Sequence, residues 1–199
     1  MPRLILASMS PYRRELLDRL GLPFEVRPAG VDESAVPGES AAGLAARLAS
    51  AKAESARATS KGVQEIIIGA DQVASRGGEF LRKPGDHDTA LAQLNACQGK
   101  TVVFFTATTV IDCDTGKQWR GLESTEVEFL ALSQQQLSRY LELEQPYDCA
   151  GGFKAEGLGI SLFRAIRSQD PTALLGLPMI WLAQTLRDLG FDPLTSSRR

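Results

Sequence analysis

Short, continuous apolar runs at 4–7, 66–70 and 102–109 have the length and aliphatic content of strands buried on both faces. They alternate with segments at 12–20, 41–59, 89–97 and 178–189, where apolar positions recur every three or four residues, the period of a helix with one buried stripe. That alternation predicts an α/β class. A further extended run is expected at 24–28. Two turn signals break the alternation, Arg76-Gly77-Gly78-Glu79 and residues 112–116, the second lying between extended runs at 102–111 and 118–129. Both predict hairpins and therefore a mixed sheet. Ser133-Gln134-Gln135-Gln136 has the Ser-x-x-Gln form of a capping box and predicts a helix through Leu143. Asp170-Pro171 sets a capping residue before a proline and predicts a helix start there.

No repeat, low-complexity tract or linker interrupts the first 190 residues. The expectation is one continuous domain, 1–194, divided into two lobes, with a polar, disordered tail at 195–199. With 199 residues, 43% of them hydrophobic and 23% charged, the chain is long enough for a sizeable core. The formal net charge of −2 gives no general basic surface, so a polyanion has to be gripped by a local cluster and a nucleic-acid partner is disfavoured. The apolar run at the start is far shorter than a signal-peptide core, and no stretch approaches the roughly 20 residues of a transmembrane helix. A cytoplasmic protein without membrane contact is expected. Cys97, Cys113 and Cys149 lack any C-x-x-C spacing and are expected to be small buried hydrophobes, not a disulfide framework or a thiolate metal site.

The segment richest in chemistry is Ser8-Met9-Ser10-Pro11-Tyr12-Arg13-Arg14, which follows a buried strand and opens a helix with Ser10 as cap and Pro11 at the first helical position. Arg13 and Arg14 fall in the first turn, where cations oppose the helix dipole by about 0.3–1 kcal/mol each. A bound anion would reverse that sign. Free N–H groups, the Ser8 and Ser10 hydroxyls and two guanidinium forks together make a triphosphate cradle. A solvated basic patch paired with Glu15 or Asp18 accounts for the same residues.

Glu65-Ile66-Ile67-Ile68-Gly69-Ala70-Asp71-Gln72-Val73 places a carboxylate at the end of a buried strand, where open α/β sheets bind ligands. Asp71 is a candidate catalytic acid, although an Asx-turn explains such an aspartate equally well. Asp32-Glu33 offers a second acidic position, while Lys52 on a helix and Lys83 in a loop offer cations. Each of these alone is more often a solvated surface group.

Taken together, Leu6-Ala7-Ser8-Met9-Ser10-Pro11-Tyr12-Arg13-Arg14, Val31-Asp32-Glu33, Ala51-Lys52-Ala53, Gly69-Ala70-Asp71-Gln72-Val73, Lys83-Pro84 and Ala150-Gly151-Gly152-Phe153-Lys154-Ala155-Glu156-Gly157 resemble, in order and spacing, the Maf family of nucleotide pyrophosphatases. The resemblance runs from Leu4 to about Leu194. It implies a two-lobed α/β fold like that of inosine triphosphate pyrophosphatases, with a long mixed sheet, a nucleotide cleft between lobes and a homodimer. By matched position it implies that Ser8, Arg13, Arg14, Lys52 and Lys83 bind the triphosphate. Glu33 and Asp71 become ligands of a divalent cation, Mg²⁺ or else Mn²⁺ or Co²⁺, and Asp71 matches the proton acceptor. Mg²⁺ suits such a set because it takes oxygen ligands and keeps several waters.

Tyr12, Gln72 and Glu156 stand where the resemblance implies reading of the base. The dTTP- and UTP-hydrolysing branch resembles Arg, Thr and Gln there, and the branch linked to 7-methyl-GTP resembles Trp, Gln and Glu. Glu156 could accept from both N1–H and the exocyclic amine of guanine, whereas uracil offers one N–H flanked by carbonyls. The methylated base is cationic, and an aromatic face at Tyr12 would attract it by about 0.5–2 kcal/mol. Gly152, where this branch tends to have Ser, and Arg82, where Gly usually precedes Lys-Pro, depart from the pattern. His87 is the only histidine and is expected in a polar loop before a helix, which gives a Ser-His-Asp hydrolase or a His-ligated zinc site no support. A pyrophosphatase acting on 7-methyl-GTP is the expectation. The alternatives are a dTTP or UTP pyrophosphatase of the same family and a non-catalytic nucleotide-sensing regulator of cell division.

Overall fold

The computed structural model describes residues 2–60 and 64–195. In chain order the elements are β1 (Arg3–Ala7), α1 (Pro11–Asp18), β2 (Phe24–Val26), α2 (Ala41–Ala58), β3 (Glu65–Arg76), β4 (Glu79–Leu81), α3 (His87–Cys97), β5 (Thr101–Asp112), β6 (Gln118–Phe129), α4 (Gln134–Glu144), β7 (Phe163–Arg167) and α5 (Met179–Asp188). The seven strands form one sheet in the order β2-β1-β3-β5-β6-β7, with β4 pairing β3. β1 runs parallel to β2 and β3, whereas β4 pairs with β3 and β7 with β6 antiparallel. This is the mixed α/β sheet expected from the alternation. Apart from Thr195, the tail expected at 195–199 lies outside the described residues. No described helix is long and apolar enough to cross a membrane.

The chain divides into two compact units, residues 1–72, 106–123 and 170–199 in one and residues 73–105 and 124–169 in the other. In the first unit the alternation of side chains along a strand decides what each face buries. Leu4, Leu6, Ile66, Ile68 and Ala70 pack with Leu16 and Leu17 of α1 and Leu182 and Leu186 of α5. Ile5, Ala7 and Ile67 face the other way and pack with Ala53 and Ala56 of α2. Because helices cover both faces, no position on β1 or the first half of β3 can be polar without a partner, which explains their unbroken apolar runs.

In the second unit Phe104, Phe129, Phe153 and Phe163 meet edge to face, with centroids 4.9–5.5 Å apart. The capping box at Ser133 is present in full: its side chain accepts from the Gln136 N–H, and the Gln136 side chain accepts from the Ser133 N–H.

Three expectations need correction. Asp170-Pro171 opens no α-helix, only a single 3₁₀ turn at Ala173–Leu175, because Gly176 at φ 117° and Pro178 end helical geometry there. The Asp170 carboxylate still caps a helix, reaching forward to accept from the Ile180 N–H of α5 at 2.7 Å. His87 is the first residue of α3 and not part of a preceding loop, since Asp86 caps the helix by accepting from the Thr89 N–H at 2.8 Å. Of the three free thiols only Cys97 is buried, while Cys113 and Cys149 are partly exposed.

Candidate active site

The geometry starts from a glycine. A β-carbon on Gly69 would lie 2.4 Å from the Ala49 carbonyl oxygen and 2.6 Å from the Ala53 nitrogen, so α2 rests directly on β3 at that point. Only a residue without a side chain allows that approach. Two residues on, the alternation sends Asp71 to the same face as Gly69. On α2, Lys52 sits between Ala49 and Ala53 and is thereby delivered to Asp71.

Lys52 Nζ lies 2.6 Å from Asp71 Oδ1 and 2.6 Å from Glu33 Oε1. The Lys52 and Asp71 side chains are 11% and 10% exposed and that of Glu33 is 62% exposed, so the group opens to solvent on the glutamate side. Glu33 stands on the stretch between β2 and α2, which is braced from α2. Arg47 donates to the Ser34 carbonyl at 2.9 Å and pairs with Glu39, and the Asp32 carboxylate accepts from the Ser34 N–H at 2.9 Å. The Arg47 hydrogen bond is the main reason the Glu39 carboxyl is pushed down to about 2.

On the opposite face of the sheet the register Ala7↔Gly69 sets Ser8 level with the same end of β3. Ser10 caps α1, accepting from the Arg13 N–H at 3.4 Å, and Pro11 occupies the first helical position. The partly buried Arg13 donates from Nη1 to Ser8 Oγ at 3.3 Å and from Nε to the Gly176 carbonyl at 3.0 Å. Burial pushes the guanidinium down from its ordinary value, against the pull of Asp71 and Glu33, whose negative charges reach it through space. Arg14 is exposed and lines a separate cavity of about 350 Å³ with Asp18, Leu22, Pro23, Phe24 and Val26. Tyr12 is partly buried on the same helix.

Gln72 faces away from Asp71. Its amide nitrogen donates to Thr106 Oγ1 at 2.9 Å and to the carbonyls of Ala173 and Leu174 at 3.0 Å each. The two carbonyls accept only, so they fix which amide atom points at them.

Lys83 and Glu156 belong to the second unit and both are exposed. The segment bearing Glu156 is held on either side: the Tyr140 hydroxyl accepts from the Lys154 N–H at 3.1 Å, and the Glu144 carboxylate accepts from the Leu158 N–H at 2.8 Å. A β-carbon on Gly157 would lie 2.7 Å from that carboxylate, so a larger residue there would displace the Glu144 side chain. Sequence reasoning passed over Glu144 and Thr106, because single polar residues inside otherwise ordinary elements carry no local signature.

Among the described residues no group of three or more His, Cys, Asp or Glu side chains could hold a metal. The pair Glu33 and Asp71 nonetheless converges on one positive charge, that of Lys52, through oxygen atoms only. Such a donor set fits a hard divalent cation that completes its shell with water and substrate phosphate. Two carboxylates thus converge on one cation at the end of β3, and the partly buried Arg13 feels both charges from the other face of the sheet.

The Maf-like protein family model matches residues 3–189, and the chain belongs to that family. It is 53% identical to a 7-methyl-GTP pyrophosphatase of Xanthomonas axonopodis pv. citri over 96% of this chain and 99% of that protein. It is 46% identical to a 7-methyl-GTP pyrophosphatase of Nitrosococcus oceani over 97% and 96% of the two chains. Among solved structures it is similar to a nucleoside-triphosphatase (dITP/XTP pyrophosphatase) of Mycobacterium abscessus, with 14% identity, a TM-score of 0.41 and coverage of 94% and 97%.

Proposed function

We propose that this protein hydrolyses the α–β phosphoanhydride of 7-methyl-GTP, giving 7-methyl-GMP and pyrophosphate, in the cytoplasm, as a homodimer and with Mg²⁺. The observation that carries the reading is the Glu33–Lys52–Asp71 group, in which two carboxylates share one ammonium. The name borne by the relatives, over nearly their full length, supports the choice of substrate.

Asp71 acts as the base. It takes a proton from water, the hydroxide oxygen bonds to the α-phosphorus, and the bond from that phosphorus to the bridging oxygen breaks, leaving its electrons on pyrophosphate. Glu33 and Asp71 would hold the divalent cation, which would supply neutralisation of phosphate charge and polarisation of the P–O bonds. Arg13, fixed by Ser8 and Gly176, meets phosphate oxygens with its charge in a partly desolvated setting, where it is worth more than in water. Lys52 donates to a phosphate oxygen once the triphosphate competes with its carboxylates for the ammonium. Arg14 and Lys83 add exposed positive charge to the binding of the polyphosphate.

Glu156 selects the base by accepting from N1–H and the exocyclic amine of guanine, and a pyrimidine with carbonyls there is repelled. The aromatic face of Tyr12 favours the cationic methylated ring.

Hydrolysis in water carrying a heavy oxygen isotope tests the bond cleaved. The label is expected in the monophosphate, and label in pyrophosphate would place the attack on the β-phosphorus and overturn the mechanism. For the base, Glu156→Gln should impair 7-methyl-GTP hydrolysis and spare UTP. Equal loss on both would remove Glu156 from base selection.

A further inference from the structure

Gln72 and Thr106 form one connected hydrogen-bonded unit with the stretch of chain from Asp170 to Gly176. The Ala173 carbonyl receives three donors, from Gln72 Nε2 at 3.0 Å, Thr106 Oγ1 at 2.9 Å and the Gly176 N–H at 2.9 Å. Thr106 is fully buried, so its hydroxyl cannot reach a nucleotide. Asp170 closes the other side of the stretch, accepting from the Thr172 N–H at 2.9 Å and from the Ile180 N–H at 2.7 Å. The Thr172 hydroxyl lies 2.6 Å from Asp170 Oδ1 and 2.9 Å from the Leu177 carbonyl, and it accepts from the Met179 N–H at 2.9 Å. What this stretch delivers is the Gly176 carbonyl, to which Arg13 donates from Nε. Gly176 has φ 117°, and a β-carbon there would lie 3.2 Å from Arg13 Cγ, so the arginine side chain lies flat against it.

We infer that Gln72 and Thr106 are positioning residues for Arg13: they hold the Ala173–Gly176 turn, the turn holds Nε, and one edge of the guanidinium is thereby aimed at the triphosphate. Through its amide nitrogen Gln72 acts on the phosphate end of the substrate. The inference rests on Arg13 binding phosphate, as proposed above. Its physical basis is that an arginine held at Nε has lost most of its rotamers before the ligand arrives, so the ordering cost of binding is already met by the fold. Removing the clamp restores that freedom without touching the ligand.

The test is calorimetric binding of inorganic triphosphate, which has no base, to Arg13→Ala, Gln72→Ala, Thr106→Val and Thr106→Ser, together with the double variant Arg13→Ala/Gln72→Ala. Gln72→Ala and Thr106→Val should each weaken binding by about tenfold, the usual cost of loosening a residue one shell away from a ligand. Thr106→Ser, which keeps the hydroxyl, should restore it. In the double variant, Gln72→Ala should add less than about twofold to the loss from Arg13→Ala, because both act through one guanidinium. Turnover of 7-methyl-GTP and of UTP should fall by the same factor in Gln72→Ala. Unchanged triphosphate binding in Gln72→Ala, with an altered ratio of 7-methyl-GTP to UTP turnover, would overturn the inference and return Gln72 to base reading. Equal loss in Thr106→Val and Thr106→Ser would also overturn it, since the hydroxyl would then not matter. Unchanged binding in Arg13→Ala would instead remove the phosphate role of Arg13, on which the inference depends.

Discussion

β3 carries a buried carboxylate at each end of its first half, and the two are compensated differently. Glu65 is 1% exposed, accepts from both Arg27 terminal nitrogens at 2.9 and 2.8 Å and lies 3.3 Å from Arg3. One negative charge meets two guanidinium groups, one of them in fork-to-fork geometry. Asp71 and Glu33 both contact the Lys52 ammonium at 2.6 Å, so Asp71 shares its cation with a second carboxylate. At the Glu65 end Arg3 also pairs with Glu25 at 3.3 Å, so two carboxylates face two guanidinium groups and the charge at that end is balanced, as suits a scaffold. A carboxylate that shares its ammonium with a second carboxylate is the one proposed above to receive a cation and its phosphate. The same functional group, six positions away on one strand, is therefore compensated as scaffold in one place and assigned the proposed chemistry in the other.

The sharpest way to break this contrast is to remove one charge at each end. Asp71→Asn should lower turnover by about 10²–10⁴-fold, the range for a lost general base, with little change in melting temperature. Arg27→Met should do the reverse, destabilising the fold by about 3 kcal/mol because Glu65 loses its bidentate partner, while turnover per folded molecule stays at the parent level. Chemical denaturation paired with an activity assay reads both. Turnover lost in Arg27→Met without loss of stability would dissolve the distinction.

A third variant addresses how the Asp71 end is built. Gly69→Ala puts a methyl group into the Ala49 and Ala53 backbone and should cost about 1–3 kcal/mol by overpacking. It should also reduce turnover, since α2 carries Lys52 away from Asp71.

The smallest expected effect is on the acid side. Arg27, chiefly by hydrogen bonding, holds the Glu65 carboxyl below its ordinary value of 4.5. A depressed acid contributes stability above its unfolded value and loses it as the pH falls through the folded one. Stability should therefore fall below pH 4.5 in the parent and fall less steeply there in Glu65→Gln, as urea midpoints across that window would show.

How much of this was legible beforehand follows from the range of each interaction. The buried strands, the Ser133 capping box and the Arg76–Glu79 turn arise from neighbours in sequence, and the structure has all of them. Asp71 at a strand end was legible for the same reason. The pairing of Lys52 with Asp71 was not, because it depends on Gly69 letting a helix settle on the strand, a contact between distant segments. β7, with its short and partly exposed run, gave no period to read. Asp170 was misread for a related reason: its capping signal is real, but its carboxylate serves a helix that begins nine residues later, beyond a positive-φ glycine and a proline. Gln72 was assigned to base reading by resemblance, and only the three-dimensional packing places its amide against the Ala173 and Leu174 carbonyls.

The most direct measurement is pyrophosphate release by the purified protein with Mg²⁺, offered 7-methyl-GTP, GTP, UTP and dTTP in parallel, with Asp71→Asn beside it. The expected result is fastest release from 7-methyl-GTP and none above background in the variant. Release fastest from UTP or dTTP would contradict the role given to Glu156. Absence of release from every nucleotide would contradict an enzyme altogether and leave a nucleotide-sensing protein in its place.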